Sequence, residues 1–384
     1  MTLTIDDQLP GGNIIVDDIA DNAATLRQDL RDTEGWWFWW AFRLTGGAGR
    51  RLTVTFVDGD VLGELGPAAS FDGGDTWRWL GKESVEREPG GRKKTARFTT
   101  AIPADCPEAR FAMAIPYTPA DLDRFLDSLG NTAREAIVRD TLCRSRQNHD
   151  VPRLRLGRLD GAAPFALLLT ARHHACECMA NYVMEGMMAA VLADDDLGRW
   201  FRQRVEVTAI PFVDFDGVRG GDQGKNRAPH DHNRDYIDEP LYPETAAIIR
   251  TIPPWIGDRR GVVLDLHCPY IRNGETNEAT YFVGTQHAAC WENVRRLSAL
   301  LRETSAGSLR HTGDADLAFG EKWNTGDIVH CFTHWAGGLA SVEIANSMEI
   351  PYAEANGREV NPQSARAFGR DLAEAVRRYL GTAD

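Results

Sequence analysis

His174 and Glu177 stand three residues apart in Thr170-Ala171-Arg172-His173-His174-Ala175-Cys176-Glu177, where the apolar run 164–169 gives way to a helical pattern. An imidazole and a carboxylate that turn to one point at a strand-to-helix junction make a ligand pair for Zn²⁺. Such a spacing arises by chance in any long chain, so it needs a third ligand and a base at the ends of later strands. Asp265-Leu266-His267 offers the ligand: His267 faces the metal, and Asp265, two residues earlier on the same side, orients its ring. His173 competes with His174, because four-residue spacing to Glu177 would suit a turn that is already helical; His174 is preferred. Three protein ligands leave a position for water, whose proton a nearby carboxylate can take. Glu343 interrupts the apolar stretch Ala340-Ser341-Val342-Glu343-Ile344-Ala345, and an acid there is costly unless paired, solvated or placed for chemistry. It is the expected base, ahead of Glu349 and Glu354, which are assigned to a loop. The segment 218–236 carries Arg219, Lys225, Arg227 and Arg234 with Asn226 and Asn233, a concentration that suits an anionic substrate group.

Two regions must position these residues. From 13 to about 116 the chain reads as short apolar strands (13–16, 36–42, 51–57, 109–115). They are punctuated by Gly46-Gly47, Asp58-Gly59-Asp60, Asp72-Gly73-Gly74-Asp75 and Pro89-Gly90-Gly91, the pattern of a β-sandwich. Residues 1–13 read as a loose leader, and the Trp cluster at 36–40 as core and inter-domain packing. Thr118-Pro119-Ala120-Asp121-Leu122 opens a helix and marks the boundary: a sandwich domain over 1–120, a catalytic domain over 121–384. Beyond it, strands expected at 163–170, 204–213, 261–266, 280–283 and 339–345 alternate with helices at 243–250, 291–303 and 366–380. That alternation predicts an α/β layered domain with a largely parallel sheet. Such sheets bind ligands beyond the carboxyl ends of their strands, where His174, Glu177 and His267 fall.

The chain has 384 residues and a net charge of −13, which argues against nucleic acid as a partner. No apolar run is long enough to span a bilayer, and residues 1–10 lack the pattern of a signal peptide. Seven scattered Cys suit a reducing compartment and not a Cys-ligated zinc. The expectation is a cytoplasmic protein with no nucleic-acid or membrane partner.

These segments together resemble the zinc carboxypeptidases, within them the cytosolic carboxypeptidase-like branch. Arg172-His173-His174-Ala175-Cys176-Glu177 with Asn181-Tyr182-Val183-Met184-Glu185-Gly186 resembles the first-ligand segment. Asp214-Phe215-Asp216-Gly217-Val218 is similar to an Asn-Pro-Asp-Gly-Val turn, Asn233-Arg234-Asp235-Tyr236 to the substrate-carboxylate clamp, Asp265-Leu266-His267 to the third-ligand strand, and Ser341-Val342-Glu343-Ile344 to the base-bearing strand. The resemblance implies an antiparallel β-sandwich followed by an α/β/α catalytic domain with a mixed, largely parallel sheet. It implies a metallopeptidase that hydrolyses the C-terminal peptide bond of peptides or proteins, with one Zn²⁺ per chain held by His174, Glu177 and His267. Glu343 would be the general base, Arg227 the oxyanion cation (Arg219 the alternative), and Asn233 with Arg234 the grip on the terminal carboxylate. A preference for acidic C-terminal residues follows by analogy, with Lys322 a possible contact. Departures are His-Ala-Cys-Glu in place of His-Pro-Gly-Glu, and no Tyr in 321–341, where Trp323, His330 or His334 could form that wall. The competing reading is a zinc-dependent deacylase or amidohydrolase acting on N-acyl amino acids; the preceding sandwich favours the peptidase.

Overall fold

The structure is a computed structural model that describes residues 2–89, 94–272, 276–326 and 329–381. Gly90 and Gly91 of the predicted Pro89-Gly90-Gly91 turn lie outside them.

The N-terminal part is a sandwich of two five-stranded sheets. One has the spatial order Thr4–Asp6, Ala41–Thr45, Glu108–Ala112, Ala68–Ser70, Arg78–Trp79. The other runs Ile15–Ala20, Ala23–Arg27, Arg51–Phe56, Ala96–Ala101, Val85–Arg87. Alternation drives the packing: Leu52, Val54 and Phe56 point inward along one strand while Thr53 and Thr55 face outward. The core is aromatic, with Trp40 against Phe42, Phe56 and Phe98 and its indole N–H donating to the Val61 carbonyl (3.0 Å). The expected loose leader is in part an edge strand, since Thr4–Asp6 pairs with Ala41–Thr45. Among the described residues, the strand pairings in the sandwich are antiparallel except Ala23–Arg27 with Arg51–Phe56.

The second part carries a seven-stranded mixed sheet in the order Val138–Arg144, Asp150–Gly157, Val205–Ile210, Phe165–Ala171, Arg260–His267, Val342–Glu349, Tyr281–Val283. The central four strands are parallel and the flanking ones antiparallel. Phe165–Ala171 is buried at every residue, as a strand covered on both faces must be. The antiparallel pair 138–157 went unread in the sequence because its alternating Arg and Asp residues resemble a solvated loop. Helix Pro119–Ser128 opens at Thr118 with a capping box to Asp121. Helix Pro243–Ile256 runs one and a half turns beyond its expected end and carries Pro253 and Pro254 in its last turn.

Helix Met179–Leu192, which follows the His-Glu segment, is buried almost all round because it lies against the C-terminal helix Pro362–Gly381. The two backbones touch: a Cβ on Gly369 would stand 2.1 Å from the Val183 carbonyl, and one on Gly186 would stand 2.0 Å from that of Arg366. Backbone, unlike a flexible side chain, cannot step aside. Gly369→Ala is therefore expected to cost about 1–3 kcal/mol of stability through forced separation of the helices, read as a lowered denaturation midpoint; an unchanged midpoint would contradict this packing.

Candidate metal centre and cleft

Parallel order sets where the site forms. Phe165–Ala171, Arg260–His267 and Val342–Glu349 all end at the same edge of the sheet, with Ala171 level with Leu266 and His267 level with Glu349. The chain leaves Phe165–Ala171 through Arg172, a non-glycine residue in the left-handed region (φ 64°). Its buried guanidinium holds the turn in place: Nε donates to the Ala175 carbonyl (2.7 Å), Nη1 to the Tyr117 carbonyl (2.9 Å) and to Asn181 Oδ1 (3.0 Å). Within that turn His174 and Glu177 face one way.

Glu177 lies between two imidazoles. Its Oε1 is 2.9 Å from His174 Nδ1 and its Oε2 is 2.6 Å from His267 Nδ1, and one donor atom from each of the three lies within 4.8 Å of the others. All three are buried. The far nitrogen of each ring meets another carboxylate: His267 Nε2 with Asp265 Oδ2 (2.6 Å) and His174 Nε2 with Asp231 Oδ2 (3.8 Å), the outer support that orients a ligating imidazole. Asp265 spends its other oxygen on Thr170 Oγ1 (2.8 Å) and His173 Nδ1 (2.7 Å), and His173 Nε2 reaches Tyr236 Oη (2.7 Å). His173 thus sits in an outer layer. It also forms, with Asp265 and His267, a second group of donor atoms that shares His267 with the first.

Charge in this nest is strongly perturbed. Burial alone would raise Glu177, but His174, His267 and Lys225 hold its carboxyl well below the usual range. Burial lowers His174. In His267 burial is outweighed by Asp265 and Glu177, which hold the imidazole well above its ordinary value.

The nest opens into a cleft of about 420 Å³. His174, Lys225, Asn233, Arg234, His267 and Glu349 all line it, with Trp37, Tyr270, Tyr281 and Trp323 among the aromatic walls. Glu349 is the last residue of its strand. Burial pushes its carboxyl up to about 7, and its Oε2 is buried without a hydrogen-bond partner among the described residues. A two-His, one-Glu donor set suits zinc with an open coordination position, and a buried carboxylate oxygen without a partner, on a residue that lines the same cleft, calls for a donor. The residues therefore fit a bound divalent ion and its solvent.

Glu343 is not in the cleft. It is the second residue of the strand that Glu349 closes, six residues and roughly 20 Å away, and its carboxylate is clamped by Arg260 Nε (2.7 Å) and Nη2 (3.0 Å) and by Tyr379 Oη (3.1 Å). The hydrogen bonds from Arg260, more than burial, set its pKa, which is lowered. The acid in an apolar strand is explained by a cation on the neighbouring strand. Arg227 is also outside the cleft, locked against Asp214 (2.7 Å), Asp222 (2.5 Å) and Asp32 (2.9 Å), and the alternative Arg219 is exposed over the Phe215 ring (5.9 Å). Neither Lys322, His330 nor His334 lines the cleft, whereas Trp323 does.

The cation beside the nest is Lys225, whose Nζ is 3.4 Å from Glu177 Oε1. Gly224 brings it there: at φ 76°, with a hypothetical Cβ only 2.2 Å from the Ala175 amide, this position admits no side chain. The Gly-Lys pair was the available signal in sequence; an Arg-centred expectation passed over it. Asn233 and Arg234 form a short 3-10 turn at the cleft wall, with Asn233 Oδ1 accepting from the Phe332 amide (3.2 Å).

No family model matches the chain. In sequence it is 30% identical to human cytosolic carboxypeptidase 2 over 146 residues, 36% of this chain and 16% of that protein. It is 29% identical to the Xenopus tropicalis protein of the same name over 172 residues, 42% of this chain and 18% of that one. The chain thus spans less than a fifth of the length of these curated relatives. In structure, a metallo-carboxypeptidase from Burkholderia cenocepacia aligns over 100% of both chains with a TM-score of 0.81 at 20% identity. One from Pseudomonas aeruginosa, solved with (2-guanidinoethylmercapto)succinic acid, aligns over 98% of this chain and 99% of its own with a TM-score of 0.77 at 18% identity. The fold is that of the metallocarboxypeptidases. In sequence, over about two fifths of its length, the chain is similar to cytosolic carboxypeptidases.

Proposed function

We propose that the chain is a zinc-dependent metallocarboxypeptidase that hydrolyses the C-terminal peptide bond of peptides or proteins. One observation carries this: the donor atoms of His174, Glu177 and His267 converge on the wall of a cleft that also holds Glu349, Lys225, Asn233 and Arg234. His174, Glu177 and His267 would hold one Zn²⁺, which when bound acidifies water and polarises a carbonyl. Glu349 is the general base: it lines the cleft, its carboxyl is poised near neutrality, and its Oε2 has no hydrogen-bond partner among the described residues. Lys225 is the cation for the developing oxyanion. Arg234, with Asn233, grips the substrate's free carboxylate. A preference for an acidic C-terminal residue rests on the resemblance alone, since Lys225 and Arg234 are assigned to the oxyanion and the free carboxylate. The reading includes a sandwich domain over 1–120, a catalytic domain over 121–384 and, on the strength of the cytosolic relatives, a cytoplasmic location.

The test is a library of peptides varied at the C-terminus, incubated with the full chain and zinc and read by mass spectrometry. Expected is stepwise loss of single C-terminal residues, abolished by a chelator and absent for C-terminally amidated peptides, which offer Arg234 no carboxylate. Intact peptides, or cleavage indifferent to the chelator, would sink the reading; acyl release from N-acyl amino acids with peptides left intact would move it to a deacylase.

A further inference from the structure

The loop that carries Lys225 is tied to the sandwich as well as to the catalytic part, where the Cys176 amide donates to the Gln223 carbonyl (3.2 Å). Asn13 Nδ2 donates to the Gly221 carbonyl (2.8 Å). Gln223 Oε1 accepts from the Phe38 and Trp39 amides (3.2 and 2.9 Å), and its Nε2 donates to Cys176 Sγ (2.9 Å), beside Glu177. The Glu34 amide donates to the Asn226 carbonyl (2.9 Å), and Thr33 bridges to Arg227. Within this frame the Lys225 ammonium lies over the Trp37 ring, 5.7 Å from its centroid. The ring cannot swing freely: its N–H donates to the Glu34 carbonyl (3.2 Å), and it packs edge-on against Phe38 (5.8 Å) and beside Tyr270 (6.3 Å). The Trp cluster was expected to be packing alone, and Phe38, Trp39 and Trp40 are buried in that way; Trp37 is half-buried and lines the cleft.

We infer that Trp37 is a positioning residue supplied by the sandwich, its ring face holding the Lys225 ammonium at the metal nest. The inference rests on the assignment of Lys225 as the oxyanion cation. A lysine stem is long and flexible, with an ammonium that prefers water. Glu177 attracts it from one side, but a bound divalent ion takes up that carboxylate and repels the ammonium. A fixed aromatic face then keeps it in place by attraction to the ring quadrupole. The sandwich becomes part of the catalytic apparatus, since its backbone holds one side of the loop bearing the cation.

The experiment compares Trp37→Leu, Trp37→Phe and Lys225→Met in the full zinc-loaded chain. Trp37→Leu is expected to lower kcat about 5- to 30-fold with KM little changed, Trp37→Phe to recover most of it, and Lys225→Met to set the full loss at about 10²–10³. A second reading needs no turnover: acylation of Lys225 by an amine-reactive reagent, followed by mass spectrometry with Lys82 as internal reference, should accelerate several-fold in Trp37→Leu and not in Trp37→Phe, with zinc content equal in all. Raised KM at unchanged kcat would make Trp37 a substrate contact instead, and equal acylation in all variants would overturn the positioning role. If wild type lacks peptidase activity while the acylation pattern holds, the functional reading fails and the contact between Trp37 and Lys225 stands.

Discussion

Glu349→Gln is expected to lower kcat by about 10²–10⁴ while zinc stays bound, and Glu343→Gln to leave kcat close to wild type. The two acids lie on one strand, and their surroundings set them apart. Glu343 is neutralised by Arg260 and Tyr379 at the entrance of the strand. Its removal breaks a half-exposed ion pair, worth up to about 1 kcal/mol of stability. Glu349 stands at the exit, level with His267 and buried, its Oε2 without a hydrogen-bond partner among the described residues. The pH dependence follows in sign. A base works when deprotonated, so activity falls as pH drops through the Glu349 pKa. That pKa is about 7 in the metal-free protein because burial disfavours the anion. Bound zinc stabilises the anion, so the acid limb of the loaded enzyme lies below 7, and Lys225→Met moves it upward by deleting a nearby positive charge. Rate profiles from pH 5 to 9 on both Gln variants decide the assignment; a fully active Glu349→Gln protein would remove Glu349 from the chemistry.

Zinc affinity is expected to fall steeply with acidification, by roughly tenfold per pH unit once His267 is protonated in the metal-free protein. A ligating imidazole must give up its proton to the metal. Asp265 and Glu177, placed 2.6 Å from either side of the His267 ring, hold that proton on to well above the ordinary histidine pKa. The carboxylates that orient the ring for zinc therefore also raise the proton's competition with it. Asp265→Asn relieves one side of that competition but loses the anionic support, with an expected affinity loss of about 10–100-fold at high pH and a shallower slope at low pH. His267→Ala should abolish tight binding. Competition titrations against a chromophoric chelator between pH 5.5 and 8.5 measure all three. In the same samples excess zinc should raise the thermal midpoint of wild type, because an ion that binds only the folded chain adds stability, about 2.7 kcal/mol at a hundred times Kd. A pH-independent affinity, or a His267→Ala protein that binds as wild type does, would contradict the nest as a metal centre.

The sequence by itself determined the layers and the order of the chemistry along the chain. A β-rich stretch with Gly-Asp turns became a sandwich, and alternating strands and helices became a sheet whose four central strands are parallel. Short-range spacing carried His174 and Glu177, and a strand-end position carried His267, because strand and helix periodicities place such residues without reference to distant contacts. Three matters needed the tertiary structure. The expected strand 339–345 runs as Val342–Glu349: Asn346 and Ser347 look like a strand's end, yet they lie within a sheet covered on both sides, and only the pairing with Arg260–His267 shows where the strand stops. That offset moved the candidate base from Glu343 to Glu349. The choice of cation among Arg219, Lys225 and Arg227 also depended on partners far away in sequence, since Asp32 and Asp214 immobilise Arg227 while Gly224 delivers Lys225 to the nest. Finally, Trp37 and Lys225, 188 residues apart, meet only because the sandwich docks on the loop after Asp214. Local periodicity determines which way a side chain points along its own element, whereas charge pairing and domain docking are settled by whatever the fold brings alongside.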